Sequence, residues 1–154
     1  MSETAGTRVT VRIDGESVSV ADGASILDAC TAQGIDTPTI CYGENLAPVN
    51  VCRVCVVEVE GSRTLVPSCS RPAEDGMVIE TDSERVRHSR KMVLEFLASG
   101  VDLDQTPWIA AYLERYDADV SRYLPDREVI DEPIRIQDEL YIRDYDKCVL
   151  CYKC

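Results

Sequence analysis

The sequence predicts an α+β fold in its first half with a helical segment after it, on three observations. Short runs of alternating apolar and polar residues flank the tight-turn dipeptides Asp14-Gly15 and Gly61-Ser62, which is the pattern of β-hairpins. One helix-length stretch, Ser25–Gln33, lies between those hairpins and stops at Gly34. The residues from Cys41 to Cys69 form a turn-rich loop and hairpin that carry four of the chain's eight cysteines.

Taken in order, Arg8–Ile13 and Glu16–Val20 make the first hairpin around Asp14-Gly15. In Ser25–Gln33 the apolar face is Ile26, Ala29 and Cys30. Cys30 is therefore read as a small buried core residue rather than a ligand. Ile35–Ile40 runs extended through Pro38 into the cysteine loop. Val54–Glu60 and Arg63–Val66 form the second hairpin, Pro67 ends it before Cys69, and Met77–Glu80 is a last short strand. Composition then changes. Thr81-Asp82-Ser83-Glu84 offers a capping box, and Ser83–Ser99 turns Val86, Val93, Phe96 and Leu97 to one side, with Gly100 as the stop. Thr106-Pro107 opens another helix, whose turns are marked by Trp108, Ala111, Tyr112 and Arg115. Residues 117–140 are polar and acidic, with Pro125 and Pro133, and read as a linker.

Four cysteines, Cys41, Cys52, Cys55 and Cys69, stand at spacings of ten, two and thirteen residues. Tetrahedral zinc sites usually draw on two short C-x-x-C or H-x-H pairs. Here one pair and two outlying cysteines occur, which is nearer the ferredoxin arrangement for a 2Fe–2S cluster. On spacing alone, zinc and disulfides stay open as alternatives.

The residues around the cysteines carry more. Pro38-Thr39-Ile40-Cys41, the run from Cys52-Arg53-Val54-Cys55 to Val57-Glu58-Val59-Glu60-Gly61, and Pro67-Ser68-Cys69 closely resemble one cluster-binding family. It is the 2Fe–2S domain of the large iron–sulfur subunit of bacterial NADH–quinone oxidoreductase, shared with iron-only hydrogenases, NAD-reducing hydrogenases and NAD-linked formate dehydrogenases. The resemblance implies a β-grasp ferredoxin fold over residues 1–80 and a 2Fe–2S cluster on Cys41, Cys52, Cys55 and Cys69. Asn50-Val51 departs from the family pattern, which has a small residue or glycine before the second cysteine. Asn tolerates positive φ better than most residues, so the departure is mild.

After the β-grasp domain, residues 81–125 read as a helical brace, and residues 126–154 as a linker and the start of another module. Many relatives continue with H-x-x-x-C-x-x-C-x-x-x-x-x-C for a 4Fe–4S cluster. Here Gly100 stands in the His position and Asp104 in that of the first Cys, and no cysteine occurs between 69 and 148, so that cluster cannot form. His88, the only histidine, lies among Arg85, Arg87, Arg90 and Lys91 and reads as part of a solvated helix face. The C-x-x-C-x-x-C of Cys148, Cys151 and Cys154 is the opening of a bacterial 4Fe–4S ferredoxin motif. A cubane needs a fourth ligand, so the expectation is a 4Fe–4S cluster completed by residues beyond this chain.

The chain has 154 residues with 28 acidic against 16 basic residues, a formal charge of −12. Nucleic acid and anionic membrane are excluded as partners on that balance, because phosphate contacts need clustered Lys and Arg. No secretory signal opens the sequence and no apolar run is long enough to span a bilayer. Eight cysteines without an export signal point to metal in a reducing cytoplasm. There is no phosphate-cradling loop, nucleophile with a base, or His–carboxylate set. The expected role is therefore an electron-relay segment of a multi-cluster oxidoreductase, with no substrate-converting site of its own. Its partners would be other subunits or domains of a redox complex: a flavin/NAD-binding, molybdopterin or hydrogenase module. The absent His/Cys cluster inclines this reading toward a formate dehydrogenase. A free-standing 2Fe–2S carrier is the alternative, and a structural zinc module a third.

Overall fold

The structure, a computed structural model, describes residues 7–104, 106–126, 134–136, 139–140 and 142–153. A five-stranded mixed sheet is built from β1 (Arg8–Ile13), β2 (Glu16–Ala21), β3 (Val56–Val59), β4 (Val66–Pro67) and β5 (Val78–Glu80), in the order β2-β1-β5-β3-β4. β1 pairs antiparallel with β2 from Arg8↔Ala21 to Ile13↔Glu16, and parallel with β5 at Arg12↔Val78. The β1–β2 turn takes Asp14 and Gly15 at φ of 49° and 91°, the positive pair that a two-residue hairpin turn requires. Asp14 also accepts from the Thr81 N–H at 2.8 Å, which fastens the turn to the end of β5.

Helix α1 (Ile26–Ala32) lies on this sheet. It starts with a capping box, the Ser25 hydroxyl receiving the Asp28 N–H while the Asp28 carboxylate receives the Ser25 N–H. It stops where Gly34 takes φ of 75°. Ile26, Ala29 and Cys30 face Val11, Ile13, Val20, Val57 and Ile79 in one buried core. Cys30 is fully enclosed there, as its helical position predicts. Burying each large aliphatic of this set contributes about 1.5–3 kcal/mol.

The second hairpin differs from the expected one. β4 is Val66–Pro67, paired as Val56↔Pro67 and Val57↔Val66, so Pro67 sits in the edge strand instead of ending it. Proline is tolerated there because an edge residue can leave its missing N–H on the open side.

Helix α2 (Glu84–Gly100) packs against β3, and α3 (Pro107–Arg115) packs against α2. The N-cap of α2 is Ser83, whose hydroxyl accepts from the Val86 N–H, in place of the expected box from Thr81 to Glu84. Gly100 is still helical and Val101 is the C-cap, one residue later than expected. The buried face of α2 is Val86, Arg90, Leu94 and Glu95, whereas Phe96 is 53% exposed. That corrects the expected stripe at Phe96 and also the reading of Arg90 as part of a solvated face. His88 is exposed, as expected. On α3 the packed residues are Ile109, Tyr112 and Leu113, followed by Tyr116, while Trp108 and Ala111 face outward. A second core forms from Ile40, Val54, Leu94, Ile109 and Tyr116, uniting the cysteine loop with both helices. β6 (Arg135–Ile136), inside the expected linker, pairs antiparallel with β7 (Ile142–Arg143), just beyond it. No helix among the described residues is long and apolar enough to cross a membrane.

Candidate iron–sulfur site

The loop between α1 and β3 brings Cys41, Cys52 and Cys55 to one end of the sheet, and the turn after β4 brings Cys69 to meet them. Local geometry follows from the sequence. Ile40 is buried in the second core and sets Cys41 at the loop entry. Asn50 and Arg53 adopt left-handed backbone with φ of 59° and 57°, on either side of Cys52. Asn50 thereby realises the positive φ its identity allows. Its side-chain oxygen accepts from the Ser70 hydroxyl at 2.7 Å and lies 3.5 Å from the Cys69 sulfur. The N–H groups of Ile26 and Leu27, which have no partner within the helix, donate to the carbonyls of Arg71 and Ser68. The Cys69 turn is thus held by the orphan donors of α1.

Cys55 Sγ and Cys69 Sγ are 3.5 Å apart, and Cys41 and Cys52 lie near enough to one another and to Cys69 to act on each other electrostatically. Cys41, Cys55 and Cys69 are buried and Cys52 is partly so. None of the seven described cysteines is in a disulfide. The Cys55 thiol is brought down to about 6, first by the hydrogen bond from Cys69 and then by the Ser68 and Cys69 backbone N–H groups against burial. Cys69 is pushed up, first by that same shared proton, then by burial and by the charges of Cys55, Cys41 and Cys52. Burial pushes the Cys52 thiol up, against N–H groups of Val54, Cys41 and Ile40 that lie toward its sulfur.

These effects test whether the residues fit a cluster. Four sulfurs close enough to feel one another's charge can all ionise only if a multivalent cation lies among them. Backbone N–H groups turned toward sulfur are what thiolate ligands of an iron–sulfur cluster use. The donor set fits a 2Fe–2S group.

Two elements that sequence reasoning missed support the loop. Ser68 is fully buried, and its hydroxyl donates to the Cys55 carbonyl at 2.8 Å. Arg90, on α2, donates to the carbonyls of Val54 at 3.1 Å and Val56 at 2.9 Å, the two residues flanking Cys55. A signal for Arg90 was present: Val86, Arg90 and Leu94 are four apart, so the arginine occupies a position of the inward stripe.

The remaining predicted ligands lie at the C-terminus. Cys148 and Cys151 are half-buried, and Cys154 lies outside the described residues. Cys151 and Val149 pack on the same core as Cys52. The C-terminal segment is tied to Asp102 and Asp104: Lys147 bonds Asp102 at 2.8 Å and also Asp104, and the Asp102 N–H donates to the Asp146 carbonyl.

Comparison with known proteins agrees with this geometry. A family profile described as a 2Fe-2S iron-sulfur cluster binding domain matches residues 6–84. The chain is 35% identical, over 95% of its length, to the NADP-reducing hydrogenase subunit HndD of Solidesulfovibrio fructosivorans, of which the match covers 27%. Over 62% of its length it is 47% identical to the NADH-ubiquinone oxidoreductase 75 kDa subunit of Reclinomonas americana, of which 14% is covered. The chain therefore spans about a quarter or less of the length of these relatives. Among solved structures, it resembles a chain of a NAD+-reducing [NiFe]-hydrogenase in the H2-reduced state, with a TM-score of 0.72 at 26% identity over 93% of this chain and 62% of that one. The sheet with its helix, the gathered cysteines and the profile across them all describe one domain, and the chain belongs to the 2Fe-2S iron-sulfur cluster binding domain family.

Proposed function

We propose that this chain is an electron-relay segment of a multi-subunit oxidoreductase of the hydrogenase or NADH-dehydrogenase type. In this reading Cys41, Cys52, Cys55 and Cys69 would hold one 2Fe–2S cluster. The observation that carries it is the gathering of four cysteine sulfurs, with Cys55 and Cys69 3.5 Å apart and Cys41 and Cys52 close enough to raise Cys69. The cluster supplies one-electron chemistry; the chain supplies ligation, burial and hydrogen bonds to sulfur. The relatives are of hydrogenase and NADH-dehydrogenase type, and the proposal follows them rather than the formate dehydrogenase reading. Residues 1–80 are the cluster domain, 81–125 the brace, and 126–154 the lead into a second module.

Cys148, Cys151 and Cys154 belong in this reading to a 4Fe–4S cluster. With Cys30 buried in the core and four cysteines in the first site, the fourth ligand comes from outside these 154 residues. Cys52 and Cys151 border one apolar core, which favours electron passage between the two sites through packed protein. The unpaired thiols and the eight cysteines of the sequence support a reducing, cytoplasmic setting. The acidic balance favours a partner with a basic face.

The test is anaerobic purification with iron, sulfide and zinc analysis, then electron paramagnetic resonance of the reduced protein. Two irons and two sulfides per chain with a rhombic one-spin signal are expected. Stoichiometric zinc without iron would sink the proposal. The isolated 154-residue chain should hold the second cluster weakly or as a three-iron species. A stable, fully reducible 4Fe–4S cluster in it would refute the external ligand.

A further inference from the structure

Arg90 is 1% exposed, and a buried charge is costly unless something of opposite sign compensates it. No carboxylate lies within ion-pair distance of Arg90 among the described residues; its three hydrogen bonds go to neutral groups. They are the carbonyls of Val54 and Val56 and the hydroxyl of Tyr116, at 3.1, 2.9 and 2.8 Å. Glu95, the nearby buried carboxylate of α2, is instead paired with Arg122 at 2.9 Å. Arg87 and Arg115 lie around the same Tyr116 ring, all three guanidinium groups 5.5–5.6 Å from the centroid, and add like charge rather than offsetting that of Arg90. The guanidinium is therefore a fixed positive charge inside the protein, bonded to the backbone on both sides of Cys55.

We propose that Arg90 is a positioning residue of the cluster site, holding the Val54–Cys55–Val56 backbone and supplying the internal positive charge that offsets the negative charge of the cluster and its thiolates. The inference rests on the 2Fe–2S reading above. Four thiolates on an oxidised cluster leave about two negative charges, and reduction adds one more. A cation buried beside that site stabilises the reduced form more than the oxidised one, because the attraction grows with the negative charge it faces. Arg90 thus raises the reduction potential. The planar fork reaches two carbonyls with separate nitrogens while the third position meets Tyr116, a geometry the point charge of lysine does not reproduce.

The experiment compares the wild-type full chain with Arg90→Lys, Arg90→Gln and Tyr116→Phe, each loaded anaerobically. Redox titration followed by electron paramagnetic resonance gives the midpoint potential of each. Arg90→Lys keeps the charge and should stay near the wild-type potential, with a changed signal shape because the fork is lost. Arg90→Gln should shift at least tenfold toward the oxidised form in its equilibrium with a one-electron partner, about 59 mV more negative. Tyr116→Phe removes one acceptor and leaves the charge, so its potential should not move. Equal potentials for Arg90→Gln and wild type overturn the proposal, as do equal shifts for the Gln and Lys variants. If Arg90→Gln takes up no iron, the circular dichroism of the iron-free chain decides. A spectrum like that of the iron-free wild type supports the role, and an unfolded chain shows Arg90 to be only a structural brace and overturns it. Wild-type protein that forms no 2Fe–2S cluster at all fails the underlying reading and takes this one with it, whereas a loaded wild type with unmoved variants fails Arg90 alone.

Discussion

Asn50 and Arg53 bend the cysteine loop through left-handed backbone, with φ of 59° and 57°, at positions where a β-branched residue would be strained. For a residue other than Gly or Asn that conformation costs about 1–2 kcal/mol. Replacing Asn50 by Ala should destabilise the protein by about that amount and also release the Ser70 hydroxyl, which Asn50 accepts at 2.7 Å. Asn50→Gly should recover most of the backbone part. Chemical denaturation of the three proteins checks the order wild type, Gly, Ala. At the same scale, Cys52→Ser should abolish or shift the resonance signal of the reduced cluster. Cys30→Ala should leave that signal intact and lower stability by about 1 kcal/mol, the loss of one small buried group. Cys30 is fully enclosed between α1 and the sheet, in a different core cluster from Cys55 and Cys69. A Cys30→Ala variant without cluster signal would show that the two roles are not separate.

Between elements, β3 and α2 are joined by one carboxylate. Glu58 accepts from the Ser83 hydroxyl at 2.6 Å and from the Arg85 guanidinium. The Ser83 bond first, and Arg85 after it, hold the Glu58 carboxyl below the usual carboxylate range. A depressed carboxylate stabilises the fold at pH above its unfolded value, about 4.3, and loses that contribution as pH falls through the lower folded value. Glu58→Gln should therefore lower stability by about 0.5–1 kcal/mol at neutral pH, the range for a partly exposed ion pair. The gap between Gln variant and wild type should narrow as the pH is lowered below about 5. Melting curves at several pH values test this, and a gap constant with pH would assign the effect to hydrogen bonding alone. Ser83→Ala removes the cap of α2 as well, and should cost about 1 kcal/mol.

Across the whole molecule, the C-terminal segment is fastened to the α2–α3 connection by Lys147 with Asp102 and Asp104. The ammonium is held in its charged form by hydrogen bonds to Asp102 and then Asp104. Both carboxylates are about half exposed, so salt screens the attachment. Lys147→Met should raise hydrogen exchange in residues 142–153 several-fold while leaving exchange in the sheet unchanged. High salt should do the same to the wild type. Exchange that is indifferent to both would mean that the packing of Val149 and Cys151 on the second core holds the segment by itself.

Much of this is legible along the chain. The two positive-φ residues of the Asp14-Gly15 turn, the Ser25 cap and the enclosed face of α1 are local facts, because turns, caps and helical faces are set by neighbours within a few residues. The same is true of the cysteine spacing, since a loop of ten residues between Cys41 and Cys52 limits how far those two sulfurs can part. Where sequence and structure differ, the deciding partner is distant along the chain. Pro67 reads as a stop, yet it lies in an edge strand because Val56 pairs across to it. Arg90 reads as solvated because arginine in a run of charges usually is. It is buried because Val54, Val56 and Tyr116, 26 to 36 residues away, supply acceptors inside the fold. Phe96 has the composition of a core residue, and the core is filled instead by Leu94, Ile109 and Tyr116. Sequence alone determined the α+β order, the turns and which sulfurs can come within reach of one another. Only the tertiary structure decided which charges are enclosed beside those sulfurs, because enclosing a charge depends on acceptors that other parts of the chain bring to it.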